Sequence, residues 1–536
     1  QVTTGLSASR KTPGIYLAVI LGGAGTSSGD APKTILLQGN AVLSARAATL
    51  NLLASPQIAI TAGTMAAATP TFCASADDAG TYAARGSELH SMAEAVFAQY
   101  PDATVYLEAV ADGGGTAASL VNTFATNASA AFTIRIYACG KIIDVPVASG
   151  DTPTVIATAC AEAINDVDTL PFIAQFSAGA LTLTAKCTGP RGNALTCAFS
   201  FVSSSGTETV ITTSSTSSGA GTTGVLSGGT QVSGEYCFSL GATQDDWTAA
   251  IAAIASTKYD RIIASCTDAT NIDLLAAHLD SLALVTSQKR QQGIVATVAA
   301  YATAVTLATG RNKSRVQIVW HYNSRIPPWV VAAQTGAARL IGDSAAGGRL
   351  VGEATDPAAN LDGLELVSVT AQNTVADQPT ATEIEGALNN GLTPLVPSVN
   401  RPGYTTVARS ITSRSLASGV PNYAVLDTSN VTICDHVADG LNASLATTYA
   451  GFKLTSDSSD GLPPRAPNVT SPALIRSEIA RILTGYEEQA IIKDVTANLA
   501  LLTVTASATP GRVDCEIPCE PMPGLHVLGG DVRQLS

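Results

Sequence analysis

The hydrophobic pattern changes period several times along the chain. An unpatterned polar start, Gln1 to Lys11, gives way after Pro13-Gly14 to the apolar run Ile15 to Leu21, closed by Gly22-Gly23. This reads as an extended arm with a short strand that needs a partner sheet, in this chain or in another. From about Pro32 to Asp112 helical and strand patterns alternate. Ser87 to Tyr100 predicts a helix with Leu89, Met92 and Val96 on one face, and Thr104 to Val110 predicts a strand. Asp112-Gly-Gly-Gly115 then breaks the pattern. Between about 116 and 230 two-residue alternation dominates (Phe132 to Tyr137, Leu181 to Thr184), with one helix over Pro153 to Ile164 and a closing Ser/Thr/Gly tract, Ser203 to Thr230. Gly-rich breaks on both sides of a β-rich block suggest an inserted domain on flexible linkers.

After Ser233 the alternation resumes. Asp245 and Asp246 are expected to cap a helix bearing Trp247, Ile251 and Ile254, and Thr270 to cap one bearing Leu275, His278, Leu279 and Leu282. Strands are expected at Arg261 to Ser265, Gly293 to Val298 and Val316 to Trp320, with a helix over Pro328 to Ile341. The fold class is therefore α/β, α+β overall. Its core is a mixed, mostly parallel sheet with helices on both faces, shared by the segments before 112 and after 233. In the last third Ile433, Val437, Leu441, Leu445 and Tyr449 line one helix face, and Ser471-Pro472 opens a helix bearing Leu474, Ile475, Ile482, Leu483 and Tyr486. Strands at Leu499 to Ala506 and Arg512 to Ile517 flank the turn Thr509-Pro510-Gly511, and Pro523 to Ser536 reads as a second loose arm with a strand-like Leu525 to Leu528.

Composition narrows the function classes. A chain of 536 residues holds about two to four domains. Only 13% of residues are charged, about half the usual quarter, so the surface resembles an interface core more than a free monomer surface. The net charge of −13 argues against a general phosphate-binding surface, and so against direct nucleic-acid binding. Ile15 to Leu21 is far short of the ~20 residues that span a bilayer, so no membrane insertion is expected. Ten scattered cysteines without a CxxC pair read as buried free thiols of a reducing compartment.

Candidate chemistry is sparse. Gly25-Thr-Ser-Ser-Gly29 fits a nucleophile elbow with Ser27 at its centre, the basis of an α/β hydrolase alternative, but Asp30-Ala-Pro32 and a strand-like run follow where a helix must begin. Gly219-Ala-Gly-Thr-Thr-Gly224 fits a dinucleotide fingerprint but lacks a clean strand before it and a helix after it. Cys515, Cys519 and His526 supply three soft ligands where a structural zinc site wants four, so thiols packed beside Ile517 are the better reading. His90 and His278 sit in helices and need no catalytic role. Arg401 to Arg414 holds three arginines and Tyr404, either a solvated loop and strand or a basic patch facing an acidic partner. No catalytic, cofactor-binding or metal-binding residues are assigned, and no cofactor is expected.

Gly391-Leu-Thr-Pro-Leu395 followed by Val407-Ala-Arg-Ser-Ile-Thr-Ser-Arg414 resembles the tail sheath proteins of contractile-tailed bacteriophages, with Ser413 in place of the family's second Thr. Thr12-Pro-Gly-Ile-Tyr-Leu17, Tyr423 to Tyr449 and Ser477 to Val495 resemble further family segments in the same order. Length and insertion are similar to the Mu-like branch. The resemblance implies a virion structural protein, assembled in the host bacterial cytoplasm. It would stack as hexameric rings around a tail tube and contract to drive the tube through the host envelope. A phage-related injection or bacteriocin device is the alternative. Implied partners are the chain itself, the tail tube protein, and baseplate and tail terminator proteins.

The resemblance further implies an N-terminal arm (1–24), an α/β domain (25–115 and 231–390), an inserted β-rich outer domain (116–230), a C-terminal sheath core domain (391–522) and a C-terminal arm (523–536). The arms would add strands to neighbouring subunits, with Gly22-Gly23 and Gly529-Gly530 as hinges. Expected subunit–subunit residues are Ile15, Tyr16, Leu17, Val19, Leu499, Leu501, Val513, Leu525 and Val527. Expected tube-facing residues are Arg409, Arg414, Arg476 and Arg481.

Overall fold

The computed structural model describes residues 34–41, 46–47, 59–60, 62–111, 114–124, 127–177, 179–203, 208–210, 224–227, 230–232, 235–342, 361–371, 378–399, 401–417, 419–457, 466–524 and 526. The arm residues Ile15, Tyr16, Leu17, Val19, Leu525 and Val527, both Gly-Gly hinges and Ser27 lie outside them.

A nine-stranded sheet forms the centre, in the order Glu365–Thr370, Tyr404–Val407, Thr393–Pro397, Val316–Trp320, Gln292–Thr297, Arg261–Ala264, Thr34–Asn40, Thr104–Val110 and Thr71–Cys73. The five central pairings are parallel, and the pairings toward both edges are antiparallel. The fold class is thus α/β with a mixed, mostly parallel sheet. The parallel strands are apolar on both faces because both are covered. Ile35 and Leu37 point into a core shared with the helices Glu88–Gln99 and Pro328–Gly342. Leu36 points the other way, toward Trp247 and the helices Ala269–Leu282 and Tyr301–Arg311.

The β-rich segment makes two antiparallel sheets of its own. One runs Gly224–Ser227, Ala117–Phe124, Ala180–Thr188, Phe172–Ser177; the other runs Thr230–Val232, Glu235–Cys237, Thr196–Ser203, Phe132–Ala138, Lys141–Val147. Thr152 caps the helix Pro153–Asn165, which packs on the first sheet. This segment is not merely tethered by linkers. Leu120, Ile134, Phe172 and Leu183 belong to the same apolar cluster as Ile35 and Leu37.

A third core lies in the C-terminal part of the chain, from Ile433 onward. Ile433, Val437, Leu441 and Leu445 of the helix Thr428–Thr448 meet Ile479, Ile482, Leu483 and Tyr486 of the helix Pro472–Glu488. The hairpin Thr503–Ala506 with Val513–Glu516 covers one side through Val504 and Cys515. Leu499 and Leu501 precede this hairpin instead of forming its first strand: they close the short helix Val495–Asn498, and Leu501 is left exposed.

Two expected caps also differ. Asp268, not Thr270, accepts the Asn271 N–H and starts the helix Ala269–Leu282. Asp246 accepts the Thr248 N–H, whereas Asp245 is buried in an ion pair with Arg191.

Glu108 lies in the middle of the strand Thr104–Val110, fully buried, and its side chain accepts a hydrogen bond from the Gln38 amide on the neighbouring strand. Burial pushes its pKa up to about 7, and the Gln38 hydrogen bond pulls back only part of the way. A carboxyl whose folded pKa exceeds its unfolded one stabilises fully at acid pH and loses that contribution as pH rises from about 4.5 through 7. Glu108→Gln should therefore leave stability near neutral at about pH 4 and raise it at about pH 8 by on the order of 2–3 kcal/mol. Urea unfolding at the two pH values checks this, and an equal effect at both would refute it.

Candidate functional site

In an open α/β sheet, ligands bind at the carboxyl ends of the strands where the strand order reverses. Here the chain leaves Thr34–Asn40 toward Thr104–Val110 on one side and later returns to Arg261–Ala264 on the other. The switch point is therefore at Asn40 and Ser265, and the protein's own side chains fill it.

Glu88, in the first turn of its helix, accepts from the Asn40 N–H at 3.0 Å and from Ser265 Oγ at 2.8 Å. Arg191 arrives from the β-rich segment. Its Nε donates to Glu88 at 3.0 and 3.2 Å, and its Nη2 to Asp245. Asn40 Nδ2 also donates to Asp245, at 3.2 Å. All three ionic side chains are buried. Burial alone would lower the Arg191 pKa, but Glu88 and then Asp245 outweigh it and raise it. The arrangement binds the inserted sheets to the main one and occupies the place between Asn40 and Ser265 with mutual hydrogen bonds. Sequence reasoning missed Glu88 and Arg191 and misread Asp245. The one available signal was a lone arginine in Gly189-Pro-Arg-Gly192, in a stretch otherwise poor in charge.

The opposite, amino-terminal edge of the sheet carries a second polar joint. Thr432, Asp435, Asp439 and Asn442 form a stripe along Thr428–Thr448, on the side away from its apolar one. Arg315 grips Asp435 through two bonds of 2.7 and 2.8 Å. Asp439 takes Arg290 and Lys258, and Asn442 donates to Gln288 at 2.7 Å. Arg261, Gln292 and Arg339 all reach Thr432 Oγ1. The C-terminal core is thus built on one face of the helix and docked by the other.

The two stretches that carry the sequence resemblance fold into one seam. Thr393 Oγ1 accepts from the Ile411 N–H at 3.1 Å and donates to the Ile411 carbonyl at 3.0 Å. Gln317 Nε2 donates to both Thr393 Oγ1 and Ser410 Oγ at 3.0 Å. Thr412 Oγ1 donates to the Val425 carbonyl at 2.7 Å, and Ser413 Oγ accepts from the Lys313 N–H at 3.0 Å. Gly391 has φ +80°, and a Cβ there would lie 2.5 Å from the Ser413 carbonyl oxygen. The seam therefore needs glycine and short hydroxyl side chains where the sequence has them.

The other expected site residues scatter. Arg409 is paired with Asp427 at 2.8 and 3.0 Å. Arg476 donates to the Leu499 and Leu502 carbonyls, at 2.7 and 3.1 Å, and Arg481 pairs with Glu478. Arg414 is part-exposed and Val513 half-buried at the hairpin. Among the described residues no group of His, Cys, Asp and Glu could hold a metal ion, and Gly224 opens a strand, not the helix a dinucleotide site needs. None of the ten cysteines is in a disulfide.

No family model matches this chain, and no curated protein matches it. Among solved structures it is similar to a sheath tail protein from Desulfitobacterium hafniense, with 13% identity over 96% of this chain and 97% of that one and a TM-score of 0.45. It is similar to a sheath tail protein from Listeria innocua with 13% identity over 93% and 94% and the same TM-score of 0.45.

Removing the arginine at the switch point leaves two buried carboxylates without a counter-charge. Arg191→Met is expected to destabilise by about 3–5 kcal/mol. Adding Glu88→Gln and Asp245→Asn should recover most of the loss. Urea midpoints of the single and triple variants decide the matter. A single variant within 1 kcal/mol of wild type (roughly the cost of an exposed pair) would show that the cluster is not an effective buried ion pair.

Proposed function

We propose that this chain is a structural subunit of a contractile tail sheath, polymerising as stacked hexameric rings around a tail tube and contracting to drive the tube through a host envelope. The observation that carries the reading is the hairpin Thr503–Ala506 with Val513–Glu516. Among the described residues it pairs with no third strand, and two strands alone make a marginal sheet in water. Val504 and Cys515 already contribute to the core below. A strand added from a neighbouring subunit, with alternate apolar residues such as Ile15, Leu17 and Val19, would extend both the ladder and that core.

Two further observations support the same reading. The stretches resembling the sheath family are joined in one hydrogen-bonded seam. The switch point that an α/β enzyme would use is filled by Glu88, Arg191 and Asp245. Assignment to the Mu-like branch rests on chain length and the insertion alone. Contraction would draw on differences of a few kcal/mol per subunit, within reach of several backbone hydrogen bonds at about 0.5–1.5 kcal/mol each. The β-rich segment would lie outside, since an inner position would crowd the tube.

Negative-stain electron microscopy over a concentration series, with and without tail tubes, tests this. Tubes or stacked rings of uniform diameter are expected. Deleting residues 1–21 should leave a folded subunit that forms none, and normal polymerisation of the truncated chain would overturn the arm model. A full-length chain that stays monomeric with its tube present would overturn the sheath reading.

Arg414 is the better probe of the tube-facing surface, because Arg409 is already committed to Asp427. Arg414→Glu should reduce tube-templated assembly more than free polymerisation. Equal reduction in sedimentation assays of both would remove Arg414 from that surface.

A further inference from the structure

The chain does not run off freely after its last core contacts. Glu520–Pro521 pairs antiparallel with Ile492–Lys493, and the Met522 N–H donates to the Ile491 carbonyl at 3.0 Å. The chain then leaves the C-terminal core and reaches the antiparallel end of the main sheet, where His526 stands between two carboxylates. Its Nδ1 lies 2.6 Å from Asp362 Oδ2, and its Nε2 lies 3.6 Å from Asp427 Oδ2. Asp362 sits just before the strand Glu365–Thr370. Asp427 is the residue that starts the helix Thr428–Thr448, and Arg409 holds it through two bonds. Glu385, from the helix Ala381–Asn389, and Asp362 add to the field on Arg409.

Arg409, Asp427, His526 and Asp362 thus form a row of alternating charge. The alternation holds only while the ring carries both protons. A neutral imidazole has one N–H and turns a lone pair toward one of the two carboxylates. We infer that His526 is a charge-dependent latch that straps residues 522–526 across from the C-terminal core to the main sheet, and that loss of the ring's charge frees this segment.

The electrostatics agree in direction. Asp362 first, and then Asp427, raise the His526 pKa to about 9 against partial burial. Burial would raise the Asp427 pKa, but His526 and Arg409 overcome it and lower it. With a raised folded pKa, the latch is fully shut below the ordinary histidine value and opens as pH rises through about 9. When it is shut, His526 is held against Asp362 and Asp427. When it is open, the last backbone hydrogen bond holding the segment is at Met522, four residues or about 13 Å of extended chain before His526 at roughly 3.3 Å per residue. Only a use of that freed length in contacting a neighbouring subunit would rest on the sheath reading. The latch itself does not.

The chain has three methionines, at 65, 92 and 522, so a spectrum of 13C-methyl-methionine protein reports on the strap directly. Met65 and Met92 are buried in the main core and serve as internal references. In the full-length wild type at about pH 7, the Met522 methyl should sit away from its random-coil position. It should move to that position and narrow in His526→Gln at about pH 7, and in wild type at about pH 10. His526→Arg keeps its charge at about pH 10, so its Met522 signal should stay put there. An unmoved Met522 in His526→Gln would overturn the latch. So would a His526→Arg strap that opens at the same pH as wild type, or movement of Met65 and Met92 together with Met522. A latch that passes in a protein that forms no tubes would reject the sheath role and leave the latch standing.

Discussion

Buried charge at the joints is the constraint on which the rest of the structure depends. The chain has few ionic residues, and it places several of its most buried ones where one part meets another. Arg191 joins the inserted sheets to the carboxyl ends of the parallel strands. Arg290 and Arg315 join their amino ends to the helix Thr428–Thr448. Such pairs add little net stability compared with apolar residues of the same shape, yet breaking one is costly. They therefore act less as glue than as keys. Each joint has one arrangement that satisfies its carboxylates, and any slip exposes an unpaired charge to a low dielectric.

The same cluster sits where a scaffold of this kind offers a ligand crevice. A mostly parallel sheet with helices on both faces has a natural ligand crevice at its switch point. Glu88, Arg191, Asp245, Asn40 and Ser265 occupy it with mutual hydrogen bonds. The molecule also carries a two-stranded hairpin with an apolar underside and, elsewhere, a polar seam at Thr393 and Ile411. Polar docking of the C-terminal core adds to this picture, since such an interface resembles those between separable domains more than a continuous core.

Much of this was legible in the linear pattern. The helices Glu88–Gln99, Pro153–Asn165 and Pro472–Glu488, and the strands Thr104–Val110 and Val316–Trp320, follow from apolar spacing and from Ser, Thr and Pro at helix starts, all local signals. Expectations failed where a polar residue had two local uses. Asp245 next to Asp246 looks like a cap, and only a guanidinium arriving from 54 positions away makes it a buried ion-pair partner. Leu499 and Leu501 look like strand residues. The turn they occupy instead is set by the helix Pro472–Glu488, whose Arg476 takes the Leu499 and Leu502 carbonyls.

The sequence by itself determined the alternation of strands and helices, the β-rich interruption, the poverty of charge, and the order of Gly391–Leu395 and Ser410–Arg414. Each of these depends on neighbours within a few residues, or on simple counts. The tertiary structure alone decided that Gly391 must be glycine because Ser413 lies against it, that Arg191 closes the switch point, and that His526 bridges Asp362 and Asp427. In every such case the partners come from separate elements, brought together only when the apolar faces have packed. A charge or hydroxyl then takes its role from the groups it is buried beside, not from those next to it in the chain.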